Sequence, residues 1–97
     1  MILDLRDMIV AAREGGYALP VFEVAGVALA RAAVEAAADM DSPVILHPVR
    51  DEDLLMPALV ALAKRAPVPV IPVIGGITSE DDAARAIRLG AGGLICP

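Results

Sequence analysis

The side chains best suited to chemistry in this 97-residue sequence are few: one histidine, His47, one cysteine, Cys96, and the carboxylate of Glu23. Histidine and glutamate are competent zinc ligands and acid/base groups, so Glu23 and His47 form a candidate metal or proton-transfer pair. A second grouping is Gly75-Gly76 followed by Thr78 and Ser79. Glycine N–H groups leading into a helix N-terminus can cradle a phosphate. Glu80, Asp81 and Asp82 work against that use, because carboxylates weaken the local attraction for a dianion.

Each grouping also has a plainer structural reading. Glycines are what a tight strand-to-helix turn requires. His47, followed by Pro48, has no metal-ligand spacing and reads as a hydrogen-bonded residue at a strand end, with Glu23 an exposed carboxylate. Arg50, Asp51 and Glu52 read as a solvated loop and helix start. Cys96, being alone, excludes an intrachain disulfide and a thiolate zinc cluster, and reads as a buried thiol. Ser42 and Thr78 have no histidine with an orienting carboxylate nearby, so nucleophilic hydrolysis has no support, and no nucleotide P-loop is present.

The elements that must position these residues follow from periodicity. Asp4 is a good N-cap for a short amphipathic helix carrying Leu5, Met8, Ile9 and Ala12, which stops at Gly15-Gly16. Residues 18–23 form a short apolar run containing Pro20, which reads as a strand whose first half lacks a ladder donor. An alanine-rich helix over 26–38 ends at Asp41-Ser42-Pro43, before a strand over 44–47. Asp51 opens a further helix through Leu54, Leu55, Ala58, Leu62 and Ala63, tolerating Pro57 near its start, and a strand over 68–74 follows. Ser79 with Asp82 resembles a capping box, Arg85 and Arg88 suit the far end of the last helix, and Gly90 its C′ position. The chain finishes in a strand over 92–96. Helix and strand alternate four times, and strands joined by helical crossovers must lie parallel.

Composition narrows the class. The sequence is 58% hydrophobic with one Phe, one Tyr and no Trp, the aliphatic writing of a sheet buried on both faces. The net charge of -5 and the lack of a basic cluster argue against nucleic acid and membrane surfaces as partners. Neither a membrane-spanning apolar run nor a signal-peptide pattern is seen, and the expectation is a cytoplasmic protein.

A (β/α)8 barrel needs about 200 to 250 residues, so the (αβ)4 order predicts half of one, four parallel strands in a single domain over 1–97. Completion by a homodimer would join the fourth strand to the partner's first, with the partner's N-terminal helix covering the joint, and would remove both sheet edges. Glu23 and His47 would then occur twice, enough for a tetrahedral set. The alternative is a flavodoxin-like open parallel sheet. Open edges would also suit a module that binds another protein by strand addition.

The sequence resembles the class II, metal-dependent ketose-bisphosphate aldolases over nearly its whole length. The likeness runs through Leu5-Arg6-Asp7-Met8, Glu14-Gly15-Gly16-Tyr17-Ala18, Val21-Phe22-Glu23-Val24, Ser42-Pro43-Val44-Ile45-Leu46, Val68-Pro69-Val70 and Arg85-Ala86-Ile87-Arg88-Leu89-Gly90. It implies the first half of such an enzyme; zinc enters by that family resemblance alone, and the residues themselves lead to an expectation of no cofactor. After Val-Pro-Val the family carries a His-x-Asp-His-Gly signature, whose Asp is the acid/base and whose last His binds zinc. Here the first His falls on Val73, the Asp on Gly75 and the zinc ligand on Gly76. The stretch from Pro72 to Ala83, with Gly90-Ala91-Gly92-Gly93-Leu94-Ile95, is also similar to the last strands of barrels that bind phosphorylated substrates.

The resemblance without its signature implies a self-associating half-barrel scaffold, natural or reconstructed, that lacks aldolase catalysis. The alternative it leaves is a sugar-phosphate-binding protein or a vestigial metal-dependent aldolase-like lyase, with Gly75, Gly76, Thr78 and Ser79 on the phosphate and Glu23 and His47 on the metal.

Overall fold

The structure is a computed structural model and describes residues 4–96. The elements are α1 (Leu5–Gly15), β1 (Val21–Val24), α2 (Val27–Asp39), β2 (Val44–Pro48), α3 (Glu52–Arg65), β3 (Val70–Ile74), α4 (Glu80–Arg88) and β4 (Gly93–Leu94). The strands form one parallel sheet in the order β1-β2-β3-β4. Each strand thus lies beside its neighbour in sequence, which is half of a (β/α)8 barrel. A flavodoxin-like sheet would reverse its strand order at a switch point, and that alternative is set aside.

Side-chain alternation divides the sheet into two faces. Val24, Val44, Leu46, Val70 and Ile74 point outward and form the main core with Ala30, Ala33, Val34 and Ala37 of α2 and Met56, Leu59 and Ala63 of α3. Ile45, Ile71 and Val73 point to the opposite, inner face and cluster with Met8 of α1. The alanines of α2 let its backbone approach the sheet closely, which is how a core without large aromatics fills.

Prolines set where the strands begin. β1 starts at Val21, three residues later than predicted, because Pro20 has no N–H, although its carbonyl still accepts from the Ile45 N–H at 3.0 Å. β3 begins at Val70 for the same reason at Pro69, whose carbonyl accepts from Val44. Pro72 is tolerated inside β3 because its carbonyl, and so its missing donor, faces the side of β4, where Gly92 donates at 2.8 Å and the short strand has not yet begun.

The caps are mostly as the sequence implies. Asp4 accepts from the Arg6 N–H, and Gly16 closes α1 at φ 69°. Ser79 caps α4 by accepting from the Asp82 N–H at 3.1 Å, and Gly90 follows it at φ 96°. Two details differ. Asp51 precedes α3 at φ 51° with no side-chain cap bond; its carbonyl accepts from Leu54 and Leu55 instead. Asp82 does not return to the Ser79 N–H as a capping box requires, but accepts from the N–H and hydroxyl of Thr78, one residue earlier.

The placement of α1 is the main departure from expectation. It lies on the inner face of its own sheet, where Leu5 comes so close to Gly93 that a Cβ there would be 2.5 Å from Leu5 Cδ2. It does not sit in the outer layer with α2, α3 and α4, and so it covers no joint between β4 and a neighbouring β1.

Candidate functional site

Parity of the strands puts Val21, Glu23, Ile45, His47, Ile71 and Val73 on the inner face, with Glu23 and His47 at its C-terminal end. Their Cα positions are register partners across β1 and β2, so the two side chains are neighbours on one face of strands about 4.8 Å apart. Glu23 is exposed, as expected, and His47 is half-buried.

The reason for that half-burial lies just past the end of β3. A Cβ built on Gly75 would stand 2.8 Å from His47 Nε2 and 3.2 Å from Cε1, with Ile95 Cβ at 3.7 Å. The imidazole therefore fills the volume that a side chain at position 75 would need. The predicted hydrogen bond at this strand end is replaced by packing; among the described residues none holds the ring. No local signal in the sequence marks this contact: the β2–β3 register sets His47 level with Val73, and Gly75 lies two residues further along the same face.

The loop from Gly75 to Ser79 joins β3 to α4 at the same end. Gly76 takes φ 70°, in the left-handed region that favours glycine, and the Ile77 N–H donates to the Ile95 carbonyl. Thr78 and Ser79 are both committed to the helix cap: Thr78 donates its N–H and hydroxyl to one oxygen of Asp82, at 3.1 and 3.0 Å, and Ser79 Oγ accepts from the Asp82 N–H. These bonds, those from Thr78 first, hold the Asp82 carboxyl below its ordinary pKa, assisted by Arg85. A carboxylate thus occupies the Thr78 donors that a phosphate would use.

Arg85 extends from α4 to α3, where it donates to Glu52 at 3.1 Å and also pairs with Asp53. The hydrogen bond to Glu52, and then the charge of Asp53, raise the guanidinium pKa further above its ordinary value. Cys96 is exposed, not buried as the sequence suggested, because β4 ends at Leu94 and the chain beyond leaves the core.

Zinc is not matched by the residues at the positions the resemblance assigns to it. Val73, Gly75 and Gly76 carry no ligand atoms in their side chains, and among the described residues no three of His, Cys, Asp or Glu converge closely enough to hold a metal ion. Glu23 and His47 supply two ligand-type groups only. No helix of the described residues is long and apolar enough to cross a membrane.

Comparison with known proteins agrees with this architecture. The chain has TM-score 0.89 and 25% identity to the crystal structure of the YdjI aldolase from Escherichia coli K12, over 97% of this chain and 39% of that one. It therefore spans well under half the length of that enzyme. The family model for class-II fructose-bisphosphate aldolase matches residues 3–93. A match over nearly the whole sequence, joined to the strand order and the outer helical layer, means that this chain belongs to the class-II fructose-bisphosphate aldolase family.

Proposed function

We propose that the chain is a self-associating half-barrel: β4 of one copy pairs with β1 of the next, so that two copies close an eight-stranded barrel of aldolase type that lacks aldol cleavage. The observation that carries this reading is the state of the two sheet edges. Among the described residues β1 pairs only with β2 and leaves Val21 52% and Phe22 45% exposed; β4 pairs only with β3, and its Leu94 and the following Ile95 are 37% and 41% exposed. Open parallel edges flanked by apolar side chains favour strand pairing, and closure is the arrangement that removes both.

The glycines at positions 75 and 76 support the second half of the proposal, since neither can act as acid/base or metal ligand through a side chain. Light scattering tests the first half. A single chain is 10.0 kDa, and twice that mass is expected at micromolar concentration; a folded species of one-chain mass would reject closure. An aldol cleavage assay with fructose bisphosphate, with and without zinc, tests the second half, and turnover in proportion to protein would reject it.

One observation favours a second reading, in which a vestigial metal or sugar-phosphate site survives. Glu23 and His47 share a register position at the same end of the sheet as the loop from Gly75 to Ser79. The bonds from Thr78 to Asp82 weigh against its phosphate part. Calorimetry with zinc, phosphate and dihydroxyacetone phosphate decides: heat that His47→Ala abolishes would support the metal part, and no heat above dilution would dismiss the reading.

A further inference from the structure

The two outermost helices of the half-barrel each carry an apolar flank that no described residue covers. On α2, Val34, Glu35 and Ala38 line the cleft against α3. At about 100° per residue, Leu29 and Ala36 lie on the opposite flank, and Met40 continues their stripe at the helix end. Leu29 is 51% and Met40 79% exposed. Between this flank and β1 runs an open groove of about 180 Å³, walled by Phe22, Ala33, Ala36 and Met40. On α4, Arg85 marks the side of α3 through its pairs with Glu52 and Asp53. Ile87 lies about 200° further round, on the other flank with Ala84 and Glu80, and is 64% exposed.

Closure brings these two flanks to the same place. A barrel of eight strands carries an outer ring of eight helices, and each copy places only α2, α3 and α4 there. One outer position is therefore open at each joint of a closed pair, with Ile87 of one copy on one side and Leu29 and Met40 of the other copy on the other. Neighbouring outer helices are about 10 Å apart, so the two walls stand about 20 Å apart and leave the width of one helix. Phe22 and Leu94 form the floor, since their register partners Leu46 and Ile74 face the outer core. Neither copy fills the position, because α1 is seated on the inner face. The borders are acidic: Asp39 and Asp41 stand on either side of Met40 in sequence and Glu80 beside Ile87, all three exposed, in a chain of net charge -5.

We infer that each joint of the closed pair is a docking trough for one amphipathic helix of a second polypeptide, apolar on the face it buries and basic along its borders. This rests on the closure proposed above and names the partner that closure leaves room for. A helix suits the trough better than a strand, because strand pairing has already used both sheet edges. Ala33, Ala36 and Ala84 let its backbone come close to the walls. The wall formed by α2 is 13 residues long, about 20 Å, which sets the length of the helix it holds.

The test uses the unaltered chain and a synthetic peptide of about 14 residues, with leucine and alanine on one helical face and lysine elsewhere. A peptide with the same apolar face and glutamate in place of lysine is the control. Where light scattering gives the doubled mass, calorimetry should find one lysine peptide per chain, with a gain in helical circular dichroism, and the glutamate peptide should bind at least tenfold more weakly. Met40→Gln and Ile87→Gln alter exposed side chains, so each should leave the fold and the doubled mass unchanged while weakening the lysine peptide at least tenfold. An equal mixture of the two variants should regain about a quarter of the native sites: half of randomly formed pairs are mixed, and each mixed pair has one joint where Met40 faces Ile87. A doubled mass without peptide binding, or a mixture that regains no sites, would overturn the trough while leaving closure standing. A mass that never doubles would overturn both.

Discussion

The imidazole of His47 stands where a side chain on Gly75 would have to be, with Nε2 2.8 Å from the position of the missing Cβ. The position that the family likeness aligns with a catalytic aspartate thus lies just past β3, and the volume of its side chain is filled by a histidine from β2. An aspartate could not be placed at 75 without moving His47.

That contact predicts a coupled pair. Gly75→Ala should cost about 1 kcal/mol in urea unfolding, the lower end of overpacking, because the clashing atom is the far end of a side chain that can turn aside. In a His47→Ala background the same substitution should cost close to nothing. Equal costs in both backgrounds would show that the ring does not occupy the space.

The cap of α4 should be independently measurable. Ser79→Ala removes the acceptor of the Asp82 N–H and should destabilise the chain by about 1 kcal/mol, while Ser79→Asn retains most of the stability. Denaturant midpoints for the three proteins check this.

Asp82 predicts a pH dependence with a definite sign. Its carboxyl pKa is lowered in the folded chain, chiefly by the Thr78 hydrogen bonds, so the unfolded state takes up a proton first as pH falls. The associated stability is complete above the unfolded value of about 3.9 and is lost as pH drops through the lower folded value. Carbon-13 titration should place the Asp82 midpoint below that of an unfolded peptide, and Thr78→Ala should bring it back up. The advantage of the native chain over Asp82→Asn should shrink below pH 4.

The sheet edge makes a last prediction. Val21 lies on β1 with half its surface exposed, so Val21→Lys should leave the single chain as stable as before while placing a charge where the partner's β4 would pair. Light scattering should then find single chains at concentrations where the native protein has doubled its mass. Unchanged association would mean that the chains meet through another surface.

The alternation of four helices with four aliphatic strands could be read from the sequence, because it depends on periodicity and on local caps such as Ser79 and Gly90, although the delay that Pro20 and Pro69 impose on the strand starts was not. These are interactions within a few residues, and chain order alone specifies them. Parallel pairing followed as well, since a helical crossover leaves no other direction. The strand order did not: a half-barrel and a flavodoxin-like sheet share the same local pattern, and only the docking of α2 and α3 on one common face decided between them. The seat of α1 was equally beyond local reading, because the Leu5, Met8 and Ala12 face is apolar toward either side of the sheet. The pairing of His47 with Gly75 joins residues 28 positions apart, and no local rule connects a histidine on one strand to the absence of a side chain on the next. Register between strands creates that contact, and register exists only once the sheet has formed.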